Sequence, residues 1–293
     1  MDIEALRAFK YVVESGSISQ AAERLNYSQS NVTTKIHKLE QQLKTTLLYR
    51  HNRGCIVTPK GEELFQYALQ IFKAIELAEC AMQDQDHPKG SLKIGSMETT
   101  AAVRLPEILA CYHKEFPLVE LSLQPSPTKQ LVEAILQFEM DAAFVSGPIV
   151  HTHLHAETVF TEKMLLISSK EQPNLELESA TILVFRAGCS YRFQLEKYLR
   201  YAGIKSYRLM ELGSLEAIVG CAAAGLGITL LPEAVYDTYS KYYNLSYSEL
   251  PEEFSIIDTQ LISHKENPSI ALQHFQQLLK KTLKSRAVDK VEC

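Results

Sequence analysis

The 293-residue chain lacks the short motifs by which most enzyme classes are recognised. It contains no glycine-rich phosphate loop, no Gly-x-Ser-x-Gly nucleophile elbow, no His-Glu-x-x-His zinc motif and no EF-hand loop. None of these motifs therefore predicts a catalytic activity. We expect a protein that is not an enzyme and that needs no cofactor.

Paired or clustered metal ligands are also missing. The six cysteines have neither a Cys-x-x-Cys spacing nor a Cys/His ligand spacing, which argues against a structural metal site and against a disulfide framework. His151, His153 and His155 alternate and would share one face of a strand, where they could bind a metal. A solvated or core-lining set is the more common outcome, so we predict no metal site. The cysteines are Cys55, Cys80, Cys111, Cys189, Cys221 and Cys293.

Long apolar runs are absent as well. No stretch approaches the length of a membrane span or of a signal peptide, and we therefore expect a cytoplasmic protein. Hydrophobic residues make up 46% of the chain, which is enough for a sizeable core, and the length suits two or three domains.

Residues 17–43 have the pattern of two short amphipathic helices joined by a tight turn. Gly16 can end a preceding helix, and Ser17 with Gln20 forms a capping-box pair for the next one. Asn26 suits the left-handed position at a helix end, and Ser28 can cap the following helix. Apolar residues recur at helical spacing on both sides of the turn: Ile18, Ala21, Ala22 and Leu25, then Val32, Ile36, Leu39 and Leu43.

The outward face of the second helix carries small polar and amide side chains that can bond base edges, and lysines that can meet phosphates. An ordinary three-helix core with a solvated polar face is the alternative. Charge favours DNA, because residues 28–60 hold six Lys/Arg against one acid, a net of +5 in a chain of net charge -5. The predicted DNA-contacting residues of this helix are Ser28, Gln29, Ser30, Asn31, Thr33, Thr34, Lys35 and Lys38.

These residues resemble the N-terminal module of the LysR-type transcriptional regulators. The matching stretches are ALRAF at 5–9, GSISQAAERL at 16–25, SQSNVT at 28–33, LE at 39–40, LYRHNR at 48–53 and VTPKG at 57–61. The resemblance implies a winged helix-turn-helix over residues 1–58, with the wing at 47–58 and its turn at 52–54. It also implies that Arg50 and Arg53 contact the DNA backbone and the minor groove; solvated surface arginines are the alternative.

Three positions depart from the family pattern. Thr34 stands where the family often has Arg, Lys44 where Gly is usual, and Tyr49 where another residue commonly follows the leucine. These changes leave the fold expectation intact. They affect the preferred operator, because a different groove-facing side chain prefers a different base.

Residues 59–89 are predicted to form a linker and dimerisation helix that starts at Thr58-Pro59. Apolar residues at spacings of four and three indicate a heptad seam, which favours a partner helix over packing on the same domain. The resemblance implies a dimer, and a dimer of dimers beyond it. Residues 84–90 have the composition of an interdomain linker. The seam consists of Leu64, Ala68, Ile71, Ile75 and Ala78, followed by Met82.

From residue 90 onward, strand-like and helical patterns alternate, which predicts parallel strands with helices on both faces. Strand patterns lie at 92–95, 119–123, 142–145, 164–168 and 181–185, and helical patterns at 102–115, 128–139, 193–201 and 215–224. The stretches 141–144 and 225–232 are similar to landmarks of the same family. The resemblance implies a two-lobed α/β effector domain like the periplasmic binding proteins, with lobe I at about 90–161 and 266–293 and lobe II at about 162–265.

The effector is expected between the lobes, at the carboxyl ends of strands. In lobe II, a strand, a glycine turn and a helix start come together beside two arginines at 185–192, so we expect an anion there. Arg192 is predicted to bind a carboxylate; a salt bridge between the lobes or a solvated position is the alternative. The candidate effector residues are Ser96, Met97, Glu98, Thr99, Thr100, Ser126, Thr128, Ser146, Gly147, Gly188, Ser190, Tyr191, Arg192, Ser214 and Glu216.

Three functional hypotheses follow. The first is a DNA-binding regulator whose operator binding is modulated by a small anionic effector, with double-stranded DNA, a second copy of the chain and RNA polymerase as partners. The second is an enzyme with a DNA-binding appendage. The third is a regulator that senses oxidation through Cys189, whose pKa is expected to be lowered by the helix N-terminus and the neighbouring arginines.

Overall fold

The structure is a computed structural model that describes residues 1–51, 54–82, 88–171, 177, 180–267 and 269–289. The chain divides into two compact units, Met1–Glu79 and Cys80–Cys293. The first unit therefore includes most of the helix that the sequence analysis assigned to a separate linker segment. None of the helices among the described residues is both long and apolar enough to cross a membrane.

The first unit is a helix-turn-helix followed by a two-stranded wing and a long helix. Its elements are α1 (Ile3–Ser15), α2 (Ile18–Leu25), α3 (Gln29–Leu43), β1 (Leu48–His51), β2 (Gly54–Val57) and α4 (Pro59–Ala81). Strands β1 and β2 pair antiparallel. Residues 52 and 53 of the predicted turn and residues 84–87 of the predicted linker lie outside the described residues, and Gly90, the last residue of the predicted linker, begins the next strand.

The predicted helix caps are present in this unit, but the capping box is only half formed, because the Ser17 N–H donates to the hydroxyl of Ser15. Gly16 ends α1 with φ +63°, and Asn26 ends α2 with φ +53°. The hydroxyl of Ser17 accepts the N–H of Gln20 at 3.4 Å, and that of Ser28 accepts the N–H of Asn31 at 3.2 Å. Each serine cap satisfies a backbone donor that the helix leaves unpaired, which contributes about 1 kcal/mol.

The core of the first unit lies between α1, α2 and α3. Phe9, Ile36 and Leu39 are fully buried in it, and the wing adds Leu47. Burying each such side chain contributes roughly 1.5–3 kcal/mol, so the three short helices depend on this shared core. The polar face of α3 is left outside it.

The second unit alternates strands and helices and forms two lobes. Its first part contains β3 (Gly90–Ser96), α5 (Glu98–Val103), α6 (Leu105–Glu115), β4 (Val119–Pro125), α7 (Thr128–Leu136), β5 (Ala142–Ser146) and β6 (Leu154–Ser169). Next come β7 (Thr181–Val184), α8 (Ser190–Tyr201), β8 (Arg208–Glu211), α9 (Leu215–Ala223), β9 (Thr229–Pro232), α10 (Glu233–Tyr239) and β10 (Leu245–Glu249). The chain then continues through α11 (Glu252–Ser255), β11 (Ile256–His264) and α12 (Ile270–Asp289).

Strand β6 passes from one lobe to the other. Its first part, residues 154–163, pairs antiparallel with β11, and its last part, residues 164–169, pairs antiparallel with β9 and β10. The expectation of parallel strands throughout is therefore wrong. Only β3 with β4, β3 with β5 and β7 with β8 are parallel among the described strand pairs.

Strand β11 returns the chain to the first lobe earlier than expected. It pairs with β5 and with the first part of β6, so it belongs to the first lobe's sheet. Residues 256–264, predicted in the second lobe, therefore lie in the first, because a strand takes its lobe from its hydrogen-bonded neighbours, which local sequence patterns do not reveal.

Helices cover both faces of each lobe. In the first lobe, α6 and α12 pack on one face through Tyr112 and Phe275, and α7 packs on the other face through Leu131. In the second lobe, α8 and α9 cover opposite faces, with Leu195 and Ile218 as central contacts. This layering leaves the carboxyl ends of β3, β4, β7 and β8 free to line a cleft.

Candidate functional site

The outer face of α3 is exposed along its length. Its apolar residues Val32, Ile36 and Leu39 are buried against α1 and α2, which turns the polar side chains outward. Thr33 and Lys35 are half-buried. The exposed members of the predicted DNA-contacting set are Ser28, Gln29, Ser30, Asn31, Thr34 and Lys38.

Several of these side chains are held by local contacts. The Thr34 hydroxyl donates to the carbonyl of Ser30 at 2.8 Å. The Lys35 ammonium lies 5.5 Å from the ring centroid of Tyr27, whose hydroxyl donates to Glu4 at 2.9 Å. Within the described residues, Gln29, Asn31 and Lys38 form no side-chain hydrogen bond or salt bridge. Their polar groups are therefore the freest on this face for a new partner.

Glu40, in the last turn of α3, connects this helix to the wing. Its Oε1 accepts the N–H groups of Leu47 and Leu48 at 2.8 and 3.3 Å. Its Oε2 lies 3.7 Å from the guanidinium of Arg50. Sequence reasoning missed this role, although a single acid in a cationic stretch was the available signal. The other predicted wing arginine, Arg53, lies outside the described residues.

Helix α4 does not present its whole apolar seam to solvent. Ala68 is fully buried in the core of the first unit, and Leu64 and Ile71 pack partly against that core. The alternative of packing on the same domain therefore holds for the N-terminal half of the seam. Farther along, Ile75 is half-buried and Ala78 is exposed.

A cavity of about 780 Å³ lies between the two lobes of the second unit. As predicted, it opens at the carboxyl ends of strands, next to β3, β4, β7 and β8. First-lobe residues that line it are Met97, Glu98, Thr99, Pro125, Ser126, Pro127, Thr128 and Gln130. Second-lobe residues that line it are Phe185, Arg186, Ala187, Cys189, Ser190, Tyr191, Glu211, Leu212 and Gly213.

Seven of the predicted effector residues line this cavity: Met97, Glu98, Thr99, Ser126, Thr128, Ser190 and Tyr191. Eight are not among the lining residues: Ser96, Thr100, Ser146, Gly147, Gly188, Arg192, Ser214 and Glu216. Ser96 is fully buried and donates to the carbonyl of Met97, so its hydroxyl is already used. Arg186, Glu211 and Gln130 are the polar lining residues that sequence reasoning did not select.

Hydrogen bonds link the lobes beside the cavity. The hydroxyls of Thr99 and Tyr191 are 3.0 Å apart and buried. Oε1 of Glu98 accepts the first N–H of α9, from Leu215, at 2.9 Å. Burial raises the pKa of the Tyr191 phenol, which therefore remains a neutral hydrogen-bonding group. These contacts fix one relative arrangement of the lobes.

The two arginines near the start of α8 have different environments. Arg192 binds Glu196 through Nε at 2.9 Å and Glu211 through a terminal nitrogen, and it is not a lining residue. Arg186 lines the cavity, is exposed and has no salt bridge within the described part of the chain. Its guanidinium lies beside Gly213, 3.5 Å from where a Cβ of that residue would stand.

Cys189 lies at the N-cap of α8 and lines the cavity. Burial raises the pKa of its thiol, and this effect exceeds the lowering by the N–H groups of Arg192 and Tyr191. The expectation of a lowered pKa is therefore wrong. The thiol is less acidic than an ordinary cysteine and is a weak candidate for a redox sensor.

The histidines at 151–155 do not share one strand face. Only His155 lies in β6, whereas His153 precedes it and stacks on His264 at a ring-centroid distance of 6.0 Å. Among the residues that the structure describes, no group of three or more His, Cys, Asp or Glu side chains has the geometry to hold a metal ion.

Two family models match the chain. The one described as "Bacterial regulatory helix-turn-helix protein, lysR family" matches residues 3–62, and the "LysR substrate binding domain" matches residues 85–284. The regulator GltR of Bacillus subtilis is 44% identical over 270 residues, which is 91% of each chain. The regulator CzcR of the same organism is 42% identical over 91% of this chain and 92% of its own length.

Solved structures share the full-length fold. A full-length OxyR variant from Pseudomonas aeruginosa superposes with a TM-score of 0.75 at 19% identity, covering 97% of this chain and 95% of the other. CbnR, a LysR family transcriptional regulator, superposes at 0.68 with 20% identity, covering 97% and 99%. CbnR is also known in complex with its target DNA. The helix-turn-helix unit, the two-lobed α/β unit and these matches together show that the chain belongs to the LysR family and is a DNA-binding transcriptional regulator with an effector-binding domain.

Proposed function

We propose that a small anionic molecule, bound in the cavity between the lobes, modulates the binding of this regulator to its operator. The observation that carries the proposal is the environment of Arg186. This side chain lines the cavity and has no salt-bridge partner within the described residues. A guanidinium is always charged and binds carboxylates and phosphates through parallel hydrogen bonds, so its natural partner is an anion.

Each acidic residue of the cavity already has one carboxylate oxygen bound to another group of the protein. Glu98 accepts the first N–H of α9, at the positive end of that helix dipole. Glu211 is bound by Arg192. The charge of Arg186 is therefore the one in the lining that lacks an internal counterpart among the described residues.

The position of the cavity explains how binding could change the lobe arrangement. A ligand shifts a conformational equilibrium only by its different affinity for the two states. A molecule that touches Arg186 in one lobe and Thr128 or Ser126 in the other gains or loses contacts as the lobes move. The volume of about 780 Å³ lies within the range of small-molecule sites.

On DNA, we propose that Gln29 and Asn31 read base edges and that Lys38, Arg50 and Arg53 contact phosphates or the minor groove. Two recognition helices are needed to read two half-sites, so the proposal includes a dimer. The free C-terminal part of the α4 seam is its candidate contact. RNA polymerase is a further candidate partner at the promoter.

The test is footprinting of the operator with metabolites added in turn, on the parent and on Arg186→Ala. We expect the variant to bind operator normally and to need roughly 10- to 150-fold more effector, the cost of losing a charged hydrogen bond. Arg200→Ala is the matched control, since it removes an exposed arginine of α8 that does not line the cavity. If Arg186→Ala responds normally to the effector and Arg192→Ala does not respond, the anion is bound by Arg192 and not by Arg186.

A further inference from the structure

Within the described part of the chain, the cavity lining contains two carboxylates that each have one oxygen without a hydrogen bond, as well as an arginine without a salt bridge. Glu98 enters it from the first lobe and Glu211 from the second. We infer that the effector is a small zwitterion with a protonated amine beside its anionic group, as in an amino acid. This inference rests on the proposed function and names the class of its ligand.

The two carboxylates have hydrogen-bonding capacity that the protein does not fill. An ionised carboxylate only accepts hydrogen bonds, and its two oxygens offer about four acceptor positions. Glu98 uses Oε1 for Leu215, and Glu211 uses Oε1 for Arg192. In the parts of the chain that the structure describes, Oε2 of neither residue receives a hydrogen bond.

A ligand that displaces water from these groups must replace the hydrogen bonds that the water made. Leaving an ionised group without partners after water is excluded is costly. A ligand with only anionic groups would set its own acceptors beside Glu98 and Glu211. A ligand with only cationic groups would be repelled by Arg186. A molecule that carries both charges satisfies the cation and the acceptors together.

The two carboxylates also connect ligand binding to the arrangement of the lobes. Because Glu98 and Glu211 belong to different lobes, an amine that both contact is held best at one lobe separation. Glu98 also accepts the first N–H of α9, so its engagement by the ligand acts on a bond that already joins the lobes. The amine would therefore contribute to the switch as well as to affinity.

The experiment is calorimetric titration of the full-length protein with matched probes. Each of the common amino acids is compared with the 2-oxo acid of the same side chain, which lacks the amine, and with the decarboxylated amine. We expect at least one amino acid to bind, and its 2-oxo acid and its amine to bind about ten- to a hundredfold more weakly.

The variants Glu211→Gln and Glu196→Gln form a matched pair. Each removes one of the two carboxylates that bind Arg192, but only Glu211 lines the cavity. We expect Glu211→Gln to reduce the preference for the amino acid over its 2-oxo acid, and Glu196→Gln to keep it. Glu98→Gln retains an acceptor for the Leu215 N–H and should also reduce the preference.

Three results would overturn the inference. They are equal binding of an amino acid and its 2-oxo acid, an unchanged preference in both Glu98→Gln and Glu211→Gln, and binding of no amino acid in the panel. If the 2-oxo acid binds as tightly as the amino acid, the proposal of an anionic effector is still supported and only the need for an amine is contradicted. The proposal of an anionic effector is contradicted if an amine without a carboxylate binds as tightly as the amino acid, or if no anionic metabolite changes the operator footprint.

Discussion

Glu40 lies in a stretch that is otherwise cationic, and its contacts explain why an acid is useful there. The side chain is 14% exposed, and it accepts two backbone N–H groups where α3 leads into the wing. Backbone donors in a partly buried loop need partners, and water reaches them poorly. The more exposed contact with Arg50 is a weaker ion pair that orients the arginine.

The two contacts of Glu40 can be separated by substitution. Glu40→Gln retains an acceptor for the wing N–H groups, and we expect it to change the free energy of unfolding by less than about 1 kcal/mol. Glu40→Ala leaves the donors unpaired and should cost about 1–3 kcal/mol. Urea unfolding of the full-length protein measures both, with the exposed Glu63→Ala as control. Equal effects of the Gln and Ala variants would contradict the role of the backbone contacts.

Cys189 should react slowly, because the raised pKa of its half-buried thiol leaves little thiolate at neutral pH. We expect iodoacetamide to modify the exposed Cys111 first at pH 8. The rate at Cys189 should keep rising with pH beyond the range in which an ordinary thiol has ionised. Peptide mass spectrometry after timed quenching measures both rates. Equal rates, with loss of the effector response on oxidation, would restore the redox hypothesis.

Local chemistry predicted the residues whose partners are near in sequence. The caps at Ser17 and Ser28 bind N–H groups three residues away, so the sequence was sufficient. The choice between Arg186 and Arg192 was not local. Arg192 has one partner a helical turn away, Glu196, but the other, Glu211, comes from a strand that the sequence pattern did not reveal.

Helix α4 shows how one apolar pattern can serve two contacts. A heptad repeat identifies a buried face but does not say which surface covers it. In the first unit, the core formed by α1 to α3 covers the part of the seam that contains Ala68 and contacts Ile71. The part at Ile75 and Ala78 is less buried, so the partner-helix interpretation applies there and remains a prediction.

Ile75→Asp therefore tests dimerisation better than a change nearer the N-terminus of α4. A charge in a buried interhelical seam is costly, so we expect the dimer dissociation constant to rise at least about a hundredfold, with operator affinity falling in parallel. Sedimentation velocity measures the oligomer, and circular dichroism checks that the helices persist. Ile71→Asp should also unfold the first unit.

The matched control for Ile75→Asp is Gln70→Asp, which places the same charge on an exposed face of α4. It should sediment as the parent does. An unchanged oligomer in Ile75→Asp would mean that α4 does not form the dimer interface and that the contact lies in the second unit.

The strands that cross between lobes were the elements hardest to predict. The sequence pattern identified only the end of β6, at 164–168, whereas the strand begins at Leu154. Its first part exposes His155 and Thr158 and leaves Glu157 half-buried, so apolar alternation is weak there. Parallel pairing was inferred from alternation with helices; it holds for β3 with β4 and β5 and for β7 with β8, and it fails for every described strand pair that includes β6 or β11.

At the scale of the whole second unit, the arrangement of the two lobes depends on the contacts that hold β6, the strand that passes from one lobe to the other. Glu162 lies on β6 just before the residues that pair with β9, and its carboxylate is 3% exposed. Arg104, between α5 and α6, donates to both of its oxygens at 3.0 and 2.7 Å. This bidentate pair ties the segment that carries Glu98 and Thr99 to the crossing strand.

Removal of Glu162 should therefore destabilise the second unit. Loss of one member of a buried ion pair costs about 3–5 kcal/mol, and because Arg104 retains some exposure we expect about 2–4 kcal/mol for Glu162→Ala. Glu157→Ala on the same strand is the control, since its pair with Lys280 is more exposed and should contribute at most about 1 kcal/mol. Urea unfolding of the full-length protein, followed by circular dichroism, compares the two variants.

The effector response should weaken in Glu162→Ala at urea concentrations where the parent still responds, because the wall of the cavity at Glu98 loses its support. Equal unfolding midpoints in the two variants would mean that the pair of β6 and β11 alone fixes the crossing.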